Sequence, residues 1–198
     1  MSDVLVLFSG GLDSTTLLYE AVGAGRLGLA VWMRYPHPAC AAEYRAQVAI
    51  RRDLELRGIK VRLMELSPPI FGTDTMHAGV GATGPRVLPG RNLLFLSLAV
   101  NIAAANGLAE VQFGASGADA DNYPDCRPAF VESVDAMSRA WGVSVRAPLL
   151  GSSRADVLRR AGAAGVPLGL VWSCYEPREG APCGECDSCK LGLHGGPA

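Results

Sequence analysis

The segment Val4-Leu5-Val6-Leu7-Phe8-Ser9-Gly10-Gly11-Leu12-Asp13-Ser14-Thr15 opens on an apolar run and closes on small and hydroxylated residues. A short apolar run with β-branched side chains, ended by Ser-Gly-Gly, reads as a buried strand. Thr15 to Val22 then carries a helical pattern, so the string Ser9–Thr15 joins a strand to a helix. Glycines there let the backbone turn tightly and bring its N–H groups close to an anion. The helix that follows adds its positive end at the same point. Ser9, Ser14 and Thr15 can donate hydroxyl hydrogen bonds to phosphate oxygens. The plainer alternative is an ordinary strand-to-helix turn, with Gly-Gly supplying positive φ and Asp or Ser capping the helix. The string lacks the lysine of the G-x-x-x-x-G-K-[ST] loop.

Outward from this segment, strand and helix patterns alternate. Gly28 to Met33 reads as a strand, Ala41 to Arg57 as a helix with a charged face, and Ile59 to Leu66 as a strand stopped by Pro68-Pro69. Residues 67 to 90 are dense in Gly, Pro and Thr, as long functional loops are. Asn92 to Ala105 reads as an apolar helix, Glu110 to Ala115 as a strand and Pro128 to Trp141 as a helix. A last strand near Val143 and a helix from Ser153 to Ala164 complete the pattern. Such alternation predicts an α/β fold, a parallel sheet with helices on both faces. Ligands then bind beyond the carboxyl ends of the strands, where the loops 9–14, 67–91 and 116–127 gather. We expect residues 1–170 to form this domain and 171–198 a C-terminal metal-binding segment.

The 198 residues are 49% hydrophobic, with Lys+Arg 18 against Asp+Glu 19 and a net charge of −1. Mean hydropathy is +0.20. A chain of this kind buries a sizeable core. Its charge balance gives no support to a nucleic-acid or membrane-surface partner. No apolar stretch is long enough to span a bilayer, and Met1-Ser2-Asp3 has no basic n-region of a signal peptide. We expect a cytoplasmic enzyme, with thiols reserved for metals or catalysis.

Four of the six cysteines, Cys174, Cys183, Cys186 and Cys189, fall in one C-terminal stretch. Two overlapping C-x2-C pairs and an upstream cysteine can close a tetrahedral thiolate shell around Zn²⁺. Free loop thiols are the alternative. A closed four-sulfur site is structural, so the chemistry must lie elsewhere.

The Ser9–Thr15 string resembles the S-G-G-x-D-S loop of the PP-loop ATP pyrophosphatases. The resemblance implies that Phe8, Ser9, Gly10, Gly11, Leu12, Asp13, Ser14, Thr15, Thr16, Leu17 and Leu18 bind ATP, which is cleaved between its α- and β-phosphates. Asp13 is expected to help hold Mg²⁺, a hard cation suited to oxygen ligands, and Asp13 and Ser14 to take part in catalysis. Three further strings lie in order: Pro89-Gly90-Arg91-Asn92-Leu93-Leu94-Phe95, Tyr123-Pro124-Asp125-Cys126-Arg127-Pro128 and Trp172-Ser173-Cys174-Tyr175. Together with the loop they resemble the 7-cyano-7-deazaguanine synthase (QueC) family over nearly the whole chain.

That resemblance implies conversion of 7-carboxy-7-deazaguanine to its nitrile with ATP and ammonia. The carboxylate is adenylated, ammonia displaces AMP to give an amide, and a second activation drives dehydration. It also implies one structural zinc on the four cysteines and a homodimer. Arg91, with Asn92 beside it, then neutralises the α-phosphate or the substrate carboxylate; a surface arginine is the alternative. Asp125 can accept from a guanine-like amidine edge and Arg127 can clamp a carboxylate, unless the two only pair with each other. Cys126 reads as a small buried residue, with a catalytic thiol as the alternative, and His37 and His77 as solvated loop histidines, with a proton-transfer group as the alternative. Trp32, Trp141 and Trp172 read as core. Asp119 and Asp121 lie near the Mg²⁺ or keep their loop hydrated.

The chain departs from the family pattern in two places. Tyr35-Pro36-His37-Pro38-Ala39 stands where the family has Tyr-x-Gln-Arg-His, and Lys190-Leu191-Gly192-Leu193-His194 has glycine at an expected arginine. Both leave the phosphate loop untouched. They allow a divergent enzyme that stops at an amide or joins the activated carboxylate to another amine or a protein. A non-catalytic module docking through its zinc knuckle is the remaining alternative, which the intact loop disfavours.

Overall fold

The computed structural model describes residues 3–70, 88–117 and 123–190. Five strands form one parallel sheet in the order β3-β2-β1-β4-β5. They are β1 (Val4–Leu7), β2 (Leu27–Met33), β3 (Leu63–Leu66), β4 (Glu110–Gln112) and β5 (Ser144–Arg146). Among the described residues six helices accompany them: α1 (Leu12–Gly23), α2 (Cys40–Leu56), α3 (Arg91–Ala105), α4 (Pro128–Ser138), α5 (Arg154–Ala164) and the short α6 (Asp187–Lys190).

The period of two along β1 divides the core. Val4 and Val6 enter a cluster with Leu17, Leu18, Ile50, Leu54, Val157 and Ala161, so α1, α2 and α5 cover that face. Leu5 enters the opposite cluster with Leu96, Ala99, Val100 and Val134, under α3 and α4. Burial on both faces explains why the strands read as continuous apolar runs.

Element boundaries differ from the sequence reading where glycines act. Helix α1 starts at Leu12 rather than Thr15, because Gly10 takes φ +88° and Gly11 already serves as N-cap, its carbonyl accepting from Thr15 N–H at 2.9 Å. Strand β3 starts at Leu63 rather than Ile59. Gly58, at φ +79°, closes α2 while Ile59 N–H donates back to the Leu54 carbonyl at 2.9 Å, so the chain is still capping a helix there. Helix α4 ends at Ser138 and passes into a 3₁₀ turn, Arg139–Trp141, before Gly142.

In this order β1 and β4 are neighbours whose connections leave on opposite faces. That is the topological switch point, where an open α/β sheet leaves a crevice beyond its strand ends. The Ser9–Thr15 string follows β1, and Phe113-Gly114-Ala115 follows β4. The cysteine segment lies against the same end, with Cys174 and Cys189 packed into the α1/α2/α5 core cluster. No helix among the described residues is long and apolar enough to cross a membrane.

Candidate functional site

A cleft of about 280 Å³ opens at the switch point. Its floor is the turn after β1, which the chain holds by its own hydrogen bonds. Ser9 N–H donates to Ser14 Oγ at 3.2 Å, Gly11 N–H to Ser9 Oγ at 3.3 Å, and Ser14 Oγ to the Gly11 carbonyl at 3.2 Å. From α2, Gln47 Nε2 donates to the Ser9 carbonyl at 3.2 Å. Gly10 is required at its position: a Cβ there would sit 3.1 Å from Ala46 Cβ and from the Glu43 carbonyl, at a φ that side chains avoid.

Phe8, Ser9, Gly11, Leu12, Asp13 and Ser14 line the cleft. Thr15, Thr16, Leu17 and Leu18 are buried beneath them in α1, with Thr16 Oγ1 donating to the Leu12 carbonyl at 2.8 Å. Asp13 faces Arg154, the first residue of α5, whose Nη1 donates to Oδ1 at 3.0 Å and to Oδ2 at 3.3 Å. Both side chains are about four-fifths buried, at 20% and 18% exposed. Arg154 escaped the sequence reading. Its signal was topological: α5 begins just after the fifth strand, at the edge where ligands gather.

The opposite wall carries Arg91 and Asn92 at the start of α3, with Tyr35, Asp125 and Cys126. Arg91 Nη1 donates to Tyr35 Oη at 2.9 Å. Burial works against the Arg91 charge, but Tyr35, Asp125 and Glu43 outweigh it and hold the guanidinium charged. Asp125 is half-buried in a 3₁₀ turn, Pro124–Cys126, whereas Arg127 caps α4, is exposed, and is not part of the cleft wall. Cys126 is buried, as its residue type suggested.

Two expectations need correction. His37 is no solvated loop residue: its side chain is 6% exposed and lines the cleft, because Tyr35 and Glu43 enclose it. Trp141 is not core but 64% exposed, carried outward on the 3₁₀ turn that ends α4. Trp32 and Trp172 are buried and contribute to the cleft. His77, Asp119, Asp121 and the stretch from Leu191 to His194 lie outside the described residues.

Buried donors converge on this cleft. Trp32 Nε1, Arg91 Nε and Arg154 Nε are sealed from solvent and find no hydrogen-bond partner among the described residues, and buried His37 Nε2 has only the Glu43 carboxylate nearby, at 3.4 Å. An unmade buried hydrogen bond costs about 1–3 kcal/mol. Three such donors around one cleft, two on guanidinium groups, fit a ligand rich in acceptors and negative charge.

The four cysteine sulfurs lie within 4.8 Å of one another. Cys183 and Cys189 Sγ are 3.6 Å apart, close to the edge of roughly 3.8 Å that a tetrahedron with Zn–S bonds of about 2.3 Å requires. Cys183 N–H donates to Cys174 Sγ at 3.2 Å and Cys186 N–H to Cys183 Sγ at 3.3 Å, as thiolates need. Burial pushes the Cys183 thiol up, but the N–H groups of Cys186 and Glu185 prevail and hold it at about 7. Burial pushes Cys174 and Cys189 up. The all-sulfur donor set and spacing fit zinc.

A strand, glycine turn and helix at the switch point of a parallel sheet define an α/β protein with a PP-loop-like fold. The family model described as queuosine biosynthesis protein QueC matches residues 3–195, and the chain belongs to that family. Curated relatives named 7-cyano-7-deazaguanine synthase include those of Leptospira biflexa, 34% identical over 96% of this chain and 88% of the relative, and Myxococcus xanthus, 36% identical over 94% and 89%. Among solved structures, the U34-tRNA thiolase NcsA from Methanococcus maripaludis with its [4Fe-4S] cluster superposes with a TM-score of 0.51 at 12% identity, over 98% of this chain and 65% of that one. A predicted subunit of tRNA methyltransferase from Methanocaldococcus jannaschii gives 0.50 at 16% identity, over 82% and 75%. These structural likenesses concern the fold alone.

Proposed function

We propose that the protein is a 7-cyano-7-deazaguanine synthase, which uses ATP and ammonia to turn 7-carboxy-7-deazaguanine into its nitrile, preQ0. The carrying observation is the pairing of an anion cradle at Ser9–Ser14 with buried, under-partnered Arg91 and Arg154 across one cleft, in a chain of the QueC family.

The backbone N–H groups of the loop and the positive end of α1 hold the phosphates of ATP. Asp13 would hold Mg²⁺, which neutralises phosphate charge when bound, and Arg154 would turn from Asp13 to a phosphate oxygen. Arg91, with Asn92, receives the carboxylate and steadies the negative charge that develops as it attacks the α-phosphorus. Asp125 accepts from the amidine edge of the base. Pyrophosphate leaves, the acyl adenylate forms, and ammonia displaces AMP to give the amide. A second adenylation, at the amide oxygen, lets the nitrile form with loss of AMP. Cys174, Cys183, Cys186 and Cys189 would hold a structural zinc. Residues 1–170 act as the nucleotide domain and 171–198 as its zinc-held wall, in a homodimer.

The Tyr35-Pro36-His37-Pro38-Ala39 stretch, which departs from the family string on the cleft wall, favours a second reading: a reaction that ends at the amide, or one with another amine or a protein as acceptor. Purified protein with Mg-ATP, 7-carboxy-7-deazaguanine and ammonium decides between them. Mass spectrometry should show AMP, pyrophosphate and the nitrile. AMP with only the amide would support the second reading, and no AMP under any condition would reject both.

A further inference from the structure

The cleft wall contains a pair that the phosphate and carboxylate contacts leave unused. His37 Nε2 lies 3.4 Å from Glu43 Oε2, with the two side chains 6% and 22% exposed. Both residues line the cleft. Three restraints fix the imidazole. Pro36 and Pro38 flank it and limit the backbone on either side. The Tyr35 ring stacks on it, centroids 4.5 Å apart at 28°. Cys40 N–H donates to the His37 carbonyl at 3.1 Å as α2 begins. The ionisable groups around the ring are Glu43 and Cys40 from α2, Tyr35 from its own segment, and Arg91 from α3, whose guanidinium sits 5.9 Å from the Tyr35 ring centroid.

We infer that His37, oriented by Glu43, is the proton acceptor for the attacking amine; this rests on the function proposed above. With Glu43 Oε2 3.4 Å from Nε2 as the charged partner on that side, an imidazole protonated at Nε2 leaves Nδ1 with the free lone pair. As the ammonia nitrogen bonds to the adenylated carbonyl carbon, that nitrogen becomes cationic and gives one proton to the imidazole. The C–O bond to AMP then breaks with its electron pair going to the phosphate oxygen, AMP leaves as the phosphate dianion, and the amide remains. Glu43 and the face of Tyr35 stabilise the imidazolium until the proton passes to water. His37 acts on the reacting nitrogen and Glu43 is a positioning residue.

The test separates activation from amination. Carboxylate-dependent ATP–pyrophosphate exchange reports adenylation without any amine. In H37N it should stay within about twofold of wild type, while amide formation from ammonium at neutral pH falls about 10²–10⁴-fold, the range of a lost general base. Hydroxylamine, a weaker base whose cationic adduct nitrogen is acidic enough to lose its proton to water, should restore hydroxamate formation to near the wild-type rate in H37N and in E43Q. Exchange and amination lost together, or neither lost, would overturn the dyad. No exchange in the wild-type protein would overturn the proposed function and the dyad with it.

Discussion

The backbone N–H of Trp172 donates to the Gly10 carbonyl at 2.9 Å, fastening the approach to the cysteine cluster onto the turn of the phosphate loop. The fit continues next door. A Cβ on Gly11 would stand 3.4 Å from the Trp172 carbonyl. Trp172 Nε1 in turn donates to the Cys174 carbonyl at 2.8 Å, and Ser188 of α6 is buried at the cleft. The cluster therefore supports one wall of the cleft, and whatever orders it orders the loop.

Metal removal should reach the nucleotide through this link. Chelation is expected to lower the melting temperature and to weaken ATP binding about tenfold or more, as loss of supporting shells does. Calorimetric titration of ATP before and after chelation measures it. An unchanged ATP affinity with a lowered melting temperature would show that the Trp172–Gly10 link carries no coupling.

Asp13 and Arg154 should act as a unit. Asp13→Asn is expected to cut AMP release about 10²–10³-fold, the scale for one lost charge-stabilising contact, with the fold retained. R154M should produce a loss of the same order, and the double variant less than the product of the two, since each alone strands a largely buried charge. Steady-state AMP release for the three variants gives the coupling. Independent, multiplying effects would mean that Asp13 and Arg154, paired at 3.0 Å, do not go on to share the phosphates as partners.

The sequence carried the order of strands and helices because apolar periodicity is a local signal, and it carried the loop and the cysteines because their spacing is short. It did not carry Arg154. Asp13 and Arg154 are 141 positions apart, and nothing near either residue signals the other. His37 was misjudged for the same reason: its flanking prolines mark a loop, but the ring of Tyr35 and the side chain of Glu43 that enclose it belong to the folded arrangement. Trp141 failed in the opposite direction, a large apolar residue that a 3₁₀ turn leaves in solvent.

Gly114 offers a selective probe of the site. It follows β4 without a positive φ, yet a Cβ there would meet Asp13 Cβ at 3.0 Å and Ser14 N at 3.1 Å. G114A should therefore push Asp13 and the start of α1 away from the cleft. We expect a modest stability loss of about 1–3 kcal/mol, as for other overpacked sites, but ATP turnover reduced at least tenfold. Circular dichroism and AMP release, measured on the same preparation, separate the two. Full turnover would show that the loop moves freely at this contact.

Asp135 should make stability depend on pH. It is buried in α4, where Oδ1 accepts from Val145 N–H at 2.9 Å, and Oδ2 from Arg139 Nη2 at 2.8 Å and Arg146 Nη1 at 3.1 Å. Burial raises its pKa, but Arg139, the Val145 N–H and Arg146 outweigh that, so the folded carboxyl lies below its usual value. The unfolded chain, with an ordinary aspartate near about 3.9, then takes up a proton first as the pH falls. The contribution is therefore complete above that value and disappears as the pH drops through it to the folded value. D135N should cost about 1–3 kcal/mol at neutral pH, because the amide loses the charge-assisted hydrogen bonds to Arg139 and Arg146, whose half-exposed guanidinium groups water then solvates. The difference from wild type should narrow below about pH 4. Denaturant unfolding of both proteins at pH 7 and pH 3 measures the gap, and a gap of equal size at the two values would rule out an ionised Asp135 as its source.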